Sequence, residues 1–177
     1  MGTGIVVCGL NGCGKSTLGK ALAEALGFAF IDVEDLYFPK TDPQNTYASP
    51  RSREEVAELL MKEVRAHENF VFAAVDGDFG EAIRPFYRYA ILLHAPKEVR
   101  LQRVRDRSFQ KFGTRMLPGG DLHEREEAFF TMVAARTERA VEEWVQSLPC
   151  RVIRVDGTKP VAENIAIITG EMATEVG

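Results

Sequence analysis

The sequence predicts an α/β fold, a parallel β-sheet with helices on both faces. Three observations carry that expectation. Five short apolar runs, rich in β-branched and aromatic residues, alternate with stretches of helical periodicity. Strands separated in this way pair in parallel, through right-handed crossovers. The first run also feeds a glycine-rich loop that opens a helix, a common entry into such sheets.

"GIVVCG" (4–9) is the first strand, apolar throughout and so buried on both faces. Leu18, Ala21, Leu22, Ala25 and Leu26 then mark one helix face, which Gly27 stops. "FAFID" (28–32) is the second strand and ends in acid. A turn-rich stretch at 38–50 precedes a helix marked by Val56, Leu59, Leu60 and Val64. Ser52 with Glu55 three residues later forms a capping box for it. "NFVFAAVD" (69–76) and "YAILLHA" (89–95) are the third and fourth strands. A helix after Pro96 runs into an arginine-rich segment, and "KFGTRMLPGGD" (111–121) is too rich in Gly and Pro to be regular. A long helix is expected over 122–147, then strand "CRVIRVDG" (150–157) and a helix from Pro160. One domain is expected, with inserts at 33–68 and 106–124.

Composition excludes several classes. The net charge of −4 argues against nucleic acid as a partner, because backbone affinity needs a basic face. No run approaches the 18 or so apolar residues of a membrane span. The N-terminus has neither a secretory signal pattern nor the Ser or Thr of a myristoylation signal, Val6 standing at that place. Cys8, Cys13 and Cys150 form no C-x-x-C pair. A cytoplasmic protein with reduced cysteines, monomeric or homodimeric, is expected.

"CGLNGCGKST" (8–17) contains Gly9, four residues, then Gly14, Lys15 and Ser16. That G-x-x-x-x-G-K-[ST] spacing cradles nucleotide phosphates, with ATP and Mg²⁺ the expected ligands. The glycines, Gly12 among them, let backbone amides converge on an anion. Asn11 and Cys13 complete the loop. Lys15 supplies a mobile charge for the β- and γ-phosphates, Ser16 a hydroxyl for the metal, and Thr17 reaches the α-phosphate.

Strand-end carboxylates are the next candidates, because ligands bind at those ends of open sheets. Asp32 is followed closely by Glu34 and Asp35, and Asp76 by Asp78. Asp32 and Asp76 are candidate metal-site acids. One of Asp32, Glu34 and Asp35 is suited to orient an acceptor or take its proton. Between 100 and 115 lie six basic residues, Arg100, Arg103, Arg105, Arg107, Lys111 and Arg115, against one acid, Asp106. Arginine forks stabilise the charge that spreads in phosphoryl transfer. Arg103 and Arg107 share a helix face, and Arg100 lies on it too. Catalytic roles are expected of Lys15, Asp32, Arg103, Arg107 and Arg115.

Taken together, the phosphate loop, "FIDVED", "VDGDFG", the arginine-rich segment and "VDGTKPV" resemble the nucleoside-monophosphate-kinase-like branch of P-loop kinases. That branch includes adenylate, cytidylate, shikimate and gluconate kinases. The chain is similar also to small bacterial proteins called AAA family ATPases. The resemblance implies a three-layer P-loop fold with sheet order 2-3-1-4-5, an acceptor-binding insert at 33–68 and a lid at 106–124. It implies that Gly157, in "DGT", borders the adenine. "DGDFG" stands where nucleotide kinases carry D-G-F-P-R, so the Pro-Arg is missing and Arg84 is a substitute. "IDVED" resembles the D-x-D of shikimate and gluconate kinases, with Glu34 as the second acid.

The expected activity is transfer of the γ-phosphoryl group of Mg-ATP to a small molecule, with a nucleoside monophosphate the first expected acceptor and a hydroxylated acid or sugar the alternative. A nucleoside monophosphate would use Arg51, Arg53, Arg84 and Arg88 for its phosphate, Asp78 nearby, and Tyr37, Phe38 and Tyr47 to stack its base. A hydroxylated acid or sugar would use Glu34 and Asp35. An acceptor-free nucleotide switch and a kinase of macromolecules are the alternative readings.

Overall fold

The computed structural model describes residues 2–38 and 49–174. Tyr47 and most of the turn-rich stretch lie outside them. The chain runs through β1 (Gly4–Cys8), α1 (Lys15–Leu26), β2 (Ala29–Asp32), α2 (Val33–Tyr37), α3 (Arg53–Ala66) and β3 (Phe70–Ala73). It continues through β4 (Tyr87–His94), α4 (Lys97–Phe112), α5 (His123–Ala135), α6 (Arg139–Gln146), β5 (Arg151–Asp156) and α7 (Val161–Ala173). Single 3₁₀ turns lie at Arg84–Phe86 and Gly113–Met116.

Every strand pairing is parallel, and the sheet order is β2-β3-β1-β4-β5. Successive strand residues face opposite ways, so β1 feeds two cores. Ile5 and Val7 pack under α1 and α7 with Leu18, Leu22 and Ile168. Val6 and Cys8 pack under α3 and α6 with Val56, Leu60, Val141 and Val145. These are the three layers that the sequence predicts. Leu22 and Leu60 are fully buried, and truncating either to alanine costs about 2–5 kcal/mol. A third, smaller cluster of Val104, Met116, Phe130 and Val133 binds α4, the second 3₁₀ turn and α5 into a lobe of their own. That lobe contains the expected lid segment.

Local signals act as expected. Ser52 Oγ accepts from the Glu55 amide at 3.2 Å, and Glu55 Oε2 accepts from the Ser52 amide at 2.7 Å. Two boundaries differ. The third strand ends at Ala73 rather than 76, because β1 turns away at Gly9 and leaves little backbone to pair with. The Gly9 amide makes the last such bond, to Val75 O at 3.1 Å. The expected helix over 122–147 is two helices, parted by Arg136, which is extended at φ −67° and ψ 137°. Packing imposes the break: α5 is held by the lid cluster and α6 by the sheet.

Candidate active site

The site stands at the carboxyl end of the sheet, where β1 gives way to residues 9–14 and then α1. The loop is closely seated on its neighbours. Gly12 has φ 84°, and a Cβ there would lie 2.3 Å from the carbonyl oxygen of Arg100. A Cβ on Gly157 would lie 2.4 Å from the carbonyl oxygen of Cys13. No larger residue fits either position without moving backbone. α1 has no acid in its first turn, so its amides and dipole present unopposed positive potential to an anion.

A cavity of about 520 Å³ opens over this loop. Asn11, Gly12, Cys13, Gly14, Lys15, Ser16 and Thr17 all line it. Asp32 enters it from the end of β2, Glu34 from α2, Arg103 and Arg107 from α4, and Gly157 from the β5–α7 connection. Residues far apart in sequence thus meet around one space large enough for a nucleotide.

The charges inside it follow from their supports. Lys15 is half-buried and donates Nζ to Leu10 O at 3.3 Å. Burial pulls its pKa down from the ordinary lysine value, and the nearby Arg107 guanidinium acts in the same direction. Arg107 has no hydrogen-bond partner among the described residues. Arg103 is a strut: Nη1 donates to Gly12 O at 3.2 Å and Nη2 to Gly157 O at 3.0 Å. It joins the phosphate loop to the loop after β5, which His94 O also holds through the Gly157 amide at 2.6 Å. Asp32 caps α2, its Oδ1 accepting from the Glu34 amide at 3.0 Å.

Residues 5–128 match the family described as an AAA domain. The chain belongs to that family. It is 25% identical over 169 residues to the uncharacterized protein YqaC of Bacillus subtilis, covering 91% of this chain and 92% of that protein. It is 32% identical over 113 residues to shikimate kinase 2 of Pectobacterium atrosepticum, covering 58% of this chain and 63% of that protein. Its fold is similar to a gluconokinase from Sinorhizobium meliloti at TM-score 0.59 and 20% identity, covering 97% of this chain and 92% of that one. This AAA-domain chain therefore has the kinase-like P-loop fold.

Other expected residues lie outside the cavity lining. Asp35 is on the exposed side of α2. Asp76 turns into its own loop, Oδ1 accepting from the Asp78 amide at 3.1 Å. Arg53 donates to the carbonyl oxygen of Asp78 and covers the Phe79 ring, so these form a second patch, with Tyr37 beside Phe79. Arg84 precedes β4 at the opposite end of the sheet, 3.4 Å from Glu81. Arg115 forms a fork with Asp121 at 3.0 and 2.6 Å and is mostly exposed. Gly9 sits behind the loop, at the end of β1. The cavity also takes in Asp106, Lys159 and Asn164, which the sequence did not single out. Arg136, outside the cavity lining, reaches the phosphate loop, its Nη1 donating to Asn11 Oδ1 at 2.9 Å. Its only sequence signal is a basic residue between two apolar stripes.

The donor set suits Mg²⁺ carried in by a nucleotide. No group of three His, Cys, Asp or Glu residues able to hold a metal exists among the described residues. The Ser16 hydroxyl and the Asp32 carboxylate border the cavity. Mg²⁺ needs no more than that, since it is usually bound through one or two protein groups, phosphates and water. Among the described residues no helix is long and apolar enough to cross a membrane.

Proposed function

We propose that this protein is a phosphotransferase that moves the γ-phosphoryl group of Mg-ATP to a hydroxyl group of a small polar acceptor. The observation that carries the reading is one cavity holding both the phosphate loop and the acids Asp32 and Glu34. A switch or simple NTPase needs one strand-end acid for its metal; the second acid in the cavity, Glu34, is what an acceptor would require. In this reading the loop amides and Lys15 hold the phosphate chain. Ser16 would hold the metal, which would neutralise phosphate charge when bound. Arg107 faces the charge that develops on the transferred group. Glu34 grips an acceptor hydroxyl, and Asp32 takes its proton as the new O–P bond forms and the bond to the ADP oxygen breaks.

The acceptor we favour is a hydroxylated acid or sugar. Of the cations available for a nucleoside monophosphate, Arg84 stands at the far end of the sheet, and Arg51 Nη1 is engaged by Leu36 O at 2.8 Å. Asp32 and Glu34, both lining the cavity, offer hydrogen-bond acceptors for the hydroxyls of an acid or sugar. A nucleoside monophosphate is the second reading, favoured by the Tyr37–Phe79–Arg53 patch, which suits a planar base.

The deciding experiment measures ADP release with Mg-ATP against a panel of sugar acids, hydroxylated ring acids and nucleoside monophosphates. Release that depends on one acceptor is expected. Equal release with and without every acceptor would sink the kinase reading.

A further inference from the structure

Arg100 stands in the first turn of α4, yet its side chain is only 4% exposed. It turns back beneath the phosphate loop, where Nε donates to Ala95 O at 3.1 Å. Nη1 is buried with no partner. No carboxylate lies within ion-pair distance of it among the described residues. Glu126, the other buried charged side chain there, is met by Arg125 at 3.2 Å. Buried charges are ordinarily paired, because the desolvation cost is otherwise large.

The phosphate loop rests directly on this residue, the Arg100 carbonyl being the atom that forbids a Cβ on Gly12. Its charge is felt inside the loop. Burial raises the Cys13 thiol's pKa, while the positive charges of Lys15 and Arg100 oppose the rise. Arg100 does not line the cavity, so it cannot touch a ligand there.

We propose that Arg100 is a buried countercharge for the nucleotide phosphates, acting through the loop from the side opposite the ligand. It rests on the reading that the loop binds a polyphosphate. A charge in the low-dielectric interior acts over several ångströms at a strength that solvent does not quench. Arg100 is therefore a positioning residue whose effect grows with ligand charge.

The test is calorimetric titration of the whole chain with adenosine, AMP, ADP and ATP in Mg²⁺ buffer. Arg100→Gln keeps a donor for Ala95 O and removes the charge. It is expected to weaken ATP binding about tenfold or more and adenosine binding less than about twofold. Its melting temperature without nucleotide stays level or rises. Arg100→Lys keeps the climb in affinity from adenosine to ATP, and decides the matter alone if Arg100→Gln does not fold. Equal losses for all four ligands, or none, overturn the countercharge and leave Arg100 a packing residue. A native chain that binds neither ADP nor ATP overturns the kinase reading as well.

Discussion

The two halves of the cavity are built differently. The donor half is backbone: loop amides, the start of α1, and the carbonyls that Arg103 ties together. Gly12 and Gly157 are pressed against neighbouring main chain, so its shape is fixed by packing. The acceptor half is side chain. Glu34 is exposed, and Asp32 ends β2 as the N-cap of a helix of only five residues. A common donor can be held by geometry that tolerates no variation. An acceptor is chosen by a few side chains on short elements, which change identity without disturbing the fold.

The largest effect should come from Arg107, the cavity arginine that holds no other group among the described residues. Arg107→Ala is expected to lower the transfer rate by about 10³, the scale of an arginine that stabilises transferring phosphate. Arg115→Ala should lower it by less than tenfold, since its fork to Asp121 is exposed and screened by solvent. Comparable losses in single-turnover assays would mean that the lobe carries Arg115 into the cavity. Next is Lys15→Ala, about 10²–10³ in rate, with the melting temperature level or raised. A large fall in melting temperature would show that Lys15 supports the loop rather than the reaction.

Asp32→Asn probes the other half. A rate loss of about 10² with nearly unchanged ATP affinity is expected of a residue that handles the acceptor proton. If ATP affinity falls as far as the rate, Asp32 belongs to the donor half through the metal, and the division drawn here fails.

Legibility follows the same division. The loop was readable because backbone cradles demand glycine at fixed spacing, and the sheet because Ile5, Val6 and Val7 must all be buried. The break at Arg136 was not. Val133, Val141 and Trp144 fall at spacings that keep one helical stripe in phase, so the periodicity runs straight across the bend. Arg100 was misleading for a related reason. It shares a helix face with Arg103 and Arg107, but only the first turn of α4 lies under the loop, so one face is buried at one end and open at the other. Arg84 follows the third strand's loop in sequence, while the chain crosses the whole sheet before reaching it.

Proton linkage gives a smaller effect that belongs to the donor half alone. The Lys15 pKa is lowered in the folded protein, chiefly by burial. Keeping the ammonium charged therefore costs stability at neutral pH, and that cost fades as pH rises from the folded-state pKa toward the ordinary value of 10.5. Bound phosphates reverse the balance by favouring the charged form. Nucleotide binding should thus take up protons on the alkaline side, and affinity should fall as pH rises through the Lys15 pKa. Calorimetry in buffers of different ionisation enthalpy reads the uptake. No uptake in the native chain, or the same uptake in Lys15→Ala, would place the titrating group elsewhere.

The smallest effect sharpens the contrast from the acceptor side. Ser52 and Glu55 satisfy each other's backbone amides at the start of α3, the helix that carries Arg53. Ser52→Ala leaves the Glu55 amide without its cap, at a cost of about 1 kcal/mol in unfolding free energy. The first turn of α3 should fray, and Arg53 with it, loosening the contact to the Asp78 carbonyl and the Phe79 ring. KM for a nucleoside-monophosphate acceptor should then rise a few-fold while ATP affinity stays put, because the hydrogen bonds that brace the donor half among the described residues do not reach that turn. A matching loss of ATP affinity would mean that the two halves share one folding unit, and that the acceptor side is as rigidly specified as the phosphate loop.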